Sequence, residues 1–281
     1  MLFVCNYYLA SCLGKPTGPA VTAVVGAFLR RGDCNVALLD WQGLAAAEAP
    51  SLADSYLNWA APNARKLGVR LAGALTRLSA AGLDLERTQL VGHSLGAHVL
   101  GLAGNALRLQ GVLLPWITAL DPASAAFEGK PAAGRLHAGS AAVYGLATVL
   151  VVVAVHSDPG GYGARRAMGT ADFWPNYRVE AVQPGCPKSR GQRFSPEGKT
   201  FSSDLCSHNR SWQLLAEALA RPGALLGCRA RSFREWKNYS TAQRNVSTLD
   251  LDAYGKTVYV PGNYYFSTSS EPPYGLGENG L

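Results

Sequence analysis

A chain of 281 residues is long enough for one large α/β domain or two small ones, and it contains no internal repeat or low-complexity tract. Hydrophobic residues make up 48 % and charged residues only 16 %, which excludes a disordered chain. The net charge of +7 comes from scattered basic residues, so we expect no nucleic-acid partner; the charge indicates either an ordinary basic surface or attraction to an anionic surface such as phospholipid.

The N-terminal stretch MLFVCNYYLASCLGK (residues 1–15) is apolar, but it lacks a positively charged start and is interrupted by Asn6. These features make it a weak signal peptide. We therefore expect the N-terminal part of the domain to be incomplete.

Short β-branched runs alternate with stretches of helical periodicity along the chain. The pattern predicts strands at 35–41, 87–92, 116–121 and 149–155, and helices at 53–82, 95–108 and 210–220. Such alternation predicts an α/β fold, a mostly parallel central sheet with helices on both faces.

An apolar stretch, residues 136–157, contains no Asp, Glu, Lys or Arg, so a membrane span has to be weighed against a buried strand. Glycine, serine and threonine interrupt the stretch, and its valine-rich end, VLVVVAV (149–155), is typical of a buried parallel strand. We favour the strand.

A serine lies between two glycines where a predicted strand becomes a predicted helix, in Gly92-His93-Ser94-Leu95-Gly96. A sharp turn there exposes the hydroxyl above the sheet, and the turn requires small flanking residues. The helix N-terminus behind it suits a developing oxyanion. The alternative is an ordinary serine in a glycine-tolerant turn; we favour a nucleophile.

A nucleophilic serine needs an acid and a histidine later in the chain. Asp121 ends the strand WITALD, at the carboxyl edge of the sheet where sites form. His208, in LCSHNRSW, is expected in a mobile loop before a helix, next to Cys206. Without Ser94, Asp121 would be an ordinary turn residue and His208 an ordinary loop residue.

Six cysteines are present and none has CxxC spacing, so we expect no metal site of that kind. Cys186 and Cys206 flank a polar loop of nineteen residues, which indicates a disulfide-closed loop. Three sequons, at Asn209, Asn238 and Asn245, are candidate glycosylation sites. Together these features favour an extracellular, secreted protein.

These motifs make the chain resemble the pancreatic lipase family, especially its secreted invertebrate members. The likeness covers about residues 17–275 and includes DCNVALLDWQGLAA (33–46), LVGHSLGAHVLGLAG (90–104), ITALDPASAAF (117–127), HSDPG (156–160), DFWPN (172–176), QPGCP (183–187) and LCSHNRSW (205–212). The resemblance implies an α/β-hydrolase fold in a single lipase domain over residues 1–281, without a C-terminal β-sandwich domain. It also implies hydrolysis of lipid esters at a lipid–water interface.

Carried over residue by residue, the resemblance implies Ser94 as nucleophile, Asp121 as acid and His208 as base, with the backbone N–H of Leu95 in the oxyanion hole. The Cys186–Cys206 loop (186–206) resembles the lid of the family. A membrane span at 136–157 would separate Asp121 from His208, so we reject it. No cofactor and no colipase-type partner are implied.

The chain departs from the family pattern at several positions. The motif for the second oxyanion donor is replaced by ASCLG near residues 10–14, and the acids of the family's calcium loop are replaced at His137 and Ser140, so we expect no calcium site. About eight extra apolar residues precede His156. Pairing partners for Cys5, Cys12, Cys34 and Cys228 are not evident.

Three functions therefore remain open. We favour a triacylglycerol lipase with a serine acyl-enzyme mechanism; phospholipase A1 is the alternative, because only fifteen residues separate His156 from Asp172. A non-catalytic, yolk-type lipid-binding homologue is the alternative of another class, since the oxyanion motif is altered.

Overall fold

The structure is a computed structural model that describes residues 2–4, 17–45, 52–128, 149–177, 182–187, 205–249 and 259–281. The strands in these ranges are β1 Leu2–Val4, β2 Ala37–Leu38, β3 Gln89–His93, β4 Leu114–Leu120, β5 Val149–Val155, β6 Ala171–Pro175, β7 Leu226–Ala230, β8 Asn245–Thr248 and β9 Gly262–Phe266. They form one sheet in the order β2-β1-β3-β4-β5-β6-β9-β7-β8. The first seven strands in this sheet order, of which β9 is the last, are parallel to one another. β7 is antiparallel to both of its neighbours, β9 and β8.

Helices cover both faces of the sheet. They are α1 Pro19–Arg31, α2 Gln42–Ala45, α3 Leu52–Ser55, α4 Ala61–Ala80, α5 Leu95–Arg108, α6 Cys206–Ala220 and α7 Phe233–Lys237, and a π-helical turn, Tyr56–Ala60, leads into α4. This architecture confirms the predicted α/β class and is consistent with an α/β-hydrolase fold. None of the described helices has the length and apolar character of a membrane span.

Alternating side chains on the parallel strands form two cores. Leu90, Ile117 and Val152 pack with α4 and α5 on one face. Val91, Trp116 and Val153 point to the other face, where α1 and α6 lie. Because side chains alternate along a strand, each central strand is buried on both sides, as its continuous apolar sequence predicts.

Close packing of α4 against α5 depends on Gly68. A Cβ at this position would lie 3.0 Å from the carbonyl oxygen of Val99 and would overlap the Cβ of Leu102. The two helices therefore cross at a distance that only glycine permits, and this contact fixes the helix that begins at the candidate nucleophile.

The register of the central strands brings the site residues to one edge of the sheet. His93, the last residue of β3, is paired with Leu120, the last residue of β4, and Leu120 is paired with Val155 at the end of β5. Ser94, Asp121 and His156 therefore follow three neighbouring strands at the same carboxyl edge, where sites in parallel sheets form.

Candidate active site

The turn between β3 and α5 holds Ser94 in a strained backbone conformation, with φ 56° and ψ −120°. Its backbone N–H donates to the carbonyl of Leu120 (2.9 Å), which ties the turn to the neighbouring strand. A Cβ on Gly92 would lie 2.8 Å from backbone atoms of Gly96 and Ala97. Gly92, two residues before the serine, is thus required by close backbone approach, as the sequence pattern predicted.

Asp121 follows β4 directly, also with a positive φ of 42°. Its Oδ1 accepts hydrogen bonds from the backbone N–H groups of Ser157 and Asp158, at 2.8 and 2.9 Å. The carboxylate is fully buried, and Gly163 packs so closely against it that a Cβ there would overlap its oxygens. Two backbone N–H donors and the close packing of Gly163 therefore fix the orientation of the Asp121 carboxylate.

The second carboxylate oxygen, Oδ2, lies 2.5 Å from Nδ1 of His208, and the two side chains form a buried ion pair when the histidine is charged. A carboxylate can only accept, so neutral His208 carries its proton on Nδ1. Its Nε2 is left with a lone pair. This is the tautomer that a general base requires.

His208 does not lie in a loop before a helix, and that expectation was wrong. Helix α6 begins at Cys206, four residues earlier than predicted, so His208 is in its first turn. The helix has no side-chain N-cap, and the sequence therefore gives no start signal there. The first two residues of the helix are instead bonded to the chain before the loop: Cys206 forms a disulfide with Cys186, and the Ser207 hydroxyl accepts the backbone N–H of Gln183.

Ser94, Asp121 and His208 are all buried, with 4 %, 0 % and 3 % of their surface exposed. Among the described residues no hydrogen bond joins the Ser94 hydroxyl to His208. The two are linked through His93, whose ring centroid lies 4.5 Å from that of His208. Serine–histidine hydrogen bonds are often long in structures without substrate and tighten in the complex.

Leu95, the predicted oxyanion donor, is the first residue of α5. N–H groups in the first turn of a helix have no partner within the helix, and its dipole favours negative charge there. The N–H of Leu95 is thus suited to an oxyanion beside Ser94. Residues 10–14, where a second donor was sought, lie outside the described residues.

Sequence reasoning missed several polar residues that surround the three. The His208 carbonyl accepts hydrogen bonds from His93 and from the Ser157 and Ser211 hydroxyls. Burial, and secondly the charge of His208, hold the pKa of His93 well below its usual range, so His93 is neutral. The HSDPG motif contained Ser157, but nothing in the sequence indicated a contact with a histidine 51 residues away.

Gln183 joins the base of the predicted lid to this network. Its Nε2 donates to the carbonyls of Ser157 (2.8 Å) and Pro175 (3.0 Å), and its Oε1 accepts from Asn176. Its backbone N–H donates to the Ser207 hydroxyl, next to His208. Gln183, just before the predicted lid, is thus bonded both to the loop that orients Asp121 and to the helix that carries His208.

The predicted disulfide between Cys186 and Cys206 is confirmed. The interior of the loop it closes, 188–204, lies outside the described residues, as do Cys5 and Cys12. Cys34 and Cys228 are free thiols, and burial raises the pKa of both. Asn238 and Asn245 are exposed, whereas Asn209, which lies in the first turn of α6, is only 9 % exposed.

The carboxylates of Asp121 and Asp158 and the His208 imidazole offer ligand atoms within 4.8 Å of one another. The Asp158 carboxylate accepts the N–H of Tyr162 at 2.8 Å, and both oxygens of Asp121 accept hydrogen bonds. This donor set fits a hydrogen-bonded acid–base pair better than a cation site. The loop of His137 and Ser140, which bears on the expected lack of calcium, lies outside the described residues.

Comparison with known proteins identifies relatives. A family model described as Lipase matches residues 16–274. Lipase member H-B of Xenopus laevis is 33% identical over 226 residues, 79% of this chain and 43% of that protein. Inactive pancreatic lipase-related protein 1 of Canis lupus familiaris is 34% identical over 190 residues, 64% and 38% of the two chains. Pancreatic lipase-related protein 2 of Rattus norvegicus is 33% identical over 187 residues, which are 62% of this chain and 37% of that protein. The chain spans less than half the length of these relatives.

Proposed function

Because this chain belongs to the pancreatic lipase family, we propose that it hydrolyses carboxylic esters of lipids through an acyl-enzyme on Ser94. One observation carries the proposal: a buried Asp121–His208 hydrogen bond lies at the same sheet edge as a serine held in a strained strand-to-helix turn. These are the groups that an acyl-transfer site needs, at neighbouring strand ends.

In the proposed first step, Nε2 of His208 takes the proton of the Ser94 hydroxyl while Oγ attacks the ester carbonyl carbon. Asp121 holds the imidazole by its Nδ1–H and stabilises the imidazolium. The N–H of Leu95 donates to the oxyanion of the tetrahedral intermediate. His208 then protonates the departing alcohol, which leaves an acyl ester on Ser94.

In the second step, His208 takes a proton from water, whose oxygen attacks the acyl carbon. The proton returns to Ser94 Oγ as the fatty acid leaves, which restores the serine hydroxyl and the neutral histidine. No cofactor enters either step. The Cys186–Cys206 segment would act as a lid that opens at a lipid surface.

Secretion belongs to the same proposal. The Cys186–Cys206 disulfide, two residues before the base, is stable in an oxidising compartment, which fits the secretion that is typical of this family. The positive net charge would favour an anionic lipid surface.

The deciding experiment measures ester hydrolysis by the purified protein on a triglyceride emulsion and on phosphatidylcholine vesicles. Faster release from triglyceride supports the lipase, and faster release of the sn-1 acyl chain of phosphatidylcholine supports phospholipase A1. Ser94→Ala should lower the turnover by about 10⁶-fold. Activity that survives in this variant would refute the proposed nucleophile.

A non-catalytic lipid-binding protein is the second candidate. It is favoured by the altered oxyanion motif at residues 10–14 and by a similarly related homologue that is named inactive. Lipid binding by the wild-type protein without hydrolysis of either substrate would select it.

A further inference from the structure

The carbonyl oxygen of His208 accepts hydrogen bonds from three side chains. Nε2 of His93 lies 3.2 Å from it, the Ser157 hydroxyl 3.3 Å and the Ser211 hydroxyl 3.0 Å. Ser211 is three residues further along the same helix, whereas His93 and Ser157 come from the ends of β3 and β5. Of these three hydrogen bonds, the two from His93 and Ser157 join α6 to the edge of the sheet.

His93 connects the base to the nucleophile. It is the residue before Ser94, its ring packs against that of His208, and it is 5 % exposed. Since a carbonyl oxygen can only accept, the hydrogen bond places a proton on Nε2 of neutral His93. A shift of His208 relative to Ser94 would break this bond.

Ser157 connects the base to the acid. Its backbone N–H donates to Oδ1 of Asp121 at 2.8 Å, while its hydroxyl donates to the carbonyl of His208. Ser157 is fully buried, and its backbone carbonyl accepts a hydrogen bond from the Gln183 side chain. One residue thus contacts the side chain of the acid and the backbone of the base.

We propose that His93 and Ser157 are positioning residues that hold His208 through its backbone carbonyl, in addition to the Asp121–Nδ1 bond that holds its ring. The inference rests on the proposed function. A single bond to Nδ1 leaves the ring able to move with the first turn of α6, and that turn follows directly on the predicted lid. Bonds to the carbonyl hold the turn itself against the edge of the sheet.

The distinguishing measurement is kcat against KM on a soluble ester, p-nitrophenyl butyrate, which avoids binding to an interface. His93→Leu removes the donor and His93→Gln restores an N–H near the same place. Ser157→Ala removes the hydroxyl and Ser157→Thr retains it. Ser211→Ala is the matched control, because it deletes a hydroxyl bonded to the same acceptor from within the helix.

Loss of position costs turnover, and a displacement of about 1 Å can cost about 100-fold. We expect His93→Leu to lower kcat by about 10- to 100-fold and Ser157→Ala by about 3- to 10-fold, with KM within about twofold. His93→Gln and Ser157→Thr should recover most of the kcat, and Ser211→Ala should stay within about twofold of wild type. Circular dichroism melts identify variants that fail to fold.

Suppose that the wild type is active and that its activity depends on Ser94. If His93→Leu and Ser157→Ala then keep the full kcat, or if Ser211→Ala lowers kcat as much as they do, the positioning inference is wrong and the proposed function stands. If wild type hydrolyses nothing, the proposed function fails, and the downfield proton resonance of His208 Nδ1–H tests the inference by itself. Broadening or a shift in His93→Leu and Ser157→Ala, but not in Ser211→Ala, supports it. An unchanged resonance in all three overturns it.

Discussion

Nδ1 of His208 lies 2.5 Å from Oδ2 of Asp121, although 87 residues separate them in the chain. The other oxygen of the same carboxylate accepts two backbone N–H groups from the loop after β5. The acid is therefore oriented from two sides, and each side can be tested separately.

Replacement of Asp121 by Asn tests the bond to the histidine. The amide is isosteric, but its NH₂ group cannot accept from Nδ1–H, so the favoured imidazole tautomer places the proton on the wrong nitrogen. By analogy with serine triads, we expect kcat to fall by about 10⁴-fold with little change in stability. Steady-state kinetics and a thermal melt check both. A loss of less than tenfold would argue against Asp121 as the acid.

Two of the three predicted site residues, Ser94 and Asp121, have local signals in the sequence, whereas His208 is indicated only by its order after the acid and by the family resemblance. Ser94 has glycines on either side of a strand-to-helix change, and Asp121 follows an apolar strand. The position of His208 in the first turn of α6 could not be found, because no capping side chain marks the helix start. Contacts of His93, Ser157 and Gln183 are long-range, and one sequence does not record them.

The fold class was likewise predictable from alternating patterns, but several elements were missed. β7 is short and contains Gly227 and Arg229, and β6 ends in Pro175, so their pairing in the sheet overrides weak local preference. Helix α1 carries local signals of another kind, Pro19 at its start and the left-handed Gly32 at its end. β2 is only two residues long, where seven were predicted.

Replacement of Gly163 by Ala tests the close packing of this glycine against the Asp121 carboxylate. The added methyl group would overlap the carboxylate, so the acid must shift away from Ser157 and His208. We expect kcat to fall at least about tenfold and the free energy of unfolding to fall by about 1–3 kcal/mol.

The matched control for this glycine is Gly73→Ala. Gly73 lies within α4, and the nearest atom to an added Cβ is the end of the Arg77 side chain at 3.6 Å. Alanine there should leave kcat unchanged and raise the free energy of unfolding by about 0.5–1 kcal/mol. Equal kcat in both variants would show that the acid tolerates displacement.

Gln183→Leu tests the network at the base of the lid. It removes donors to two buried carbonyls and the acceptor for Asn176, and unsatisfied buried groups each cost about 1–3 kcal/mol. We expect urea denaturation to show a loss of about 3–5 kcal/mol. Gln110→Leu, at an exposed position, should change the free energy of unfolding by less than about 0.5 kcal/mol. Similar small effects at both positions would refute the network.

The three sequons differ in the solvent exposure of their asparagines. Asn238 and Asn245 are exposed, whereas Asn209 is buried in α6 next to His208. If the protein is secreted, we expect glycans on Asn238 and Asn245 and none on Asn209. Expression in a secreting eukaryotic cell, followed by peptide mapping with and without glycosidase, checks this. A glycan at Asn209 on an active, folded protein would contradict the burial of this residue.

The stability of the protein should fall in mild acid because His98 is buried. Its ring stacks on Phe127 and its Nε2 lies 2.7 Å from the carbonyl of Ala123. Burial lowers its pKa to about 4, which the carbonyl opposes only in part. An unfolded histidine has a pKa of about 6.5, so below that pH the unfolded chain binds a proton that the folded one does not.

The free energy of unfolding should therefore be unaffected by His98 above pH 6.5 and should decrease as the pH falls towards 4, by about 3 kcal/mol in total. Urea denaturation at pH 7, 6, 5 and 4 measures this dependence. His98→Gln retains an N–H donor for Ala123 but cannot titrate, so its curve should be flatter over the same range. A residual slope is expected from His93, whose pKa is also lowered by burial. A His98→Gln curve as steep as that of the wild type would contradict the assignment.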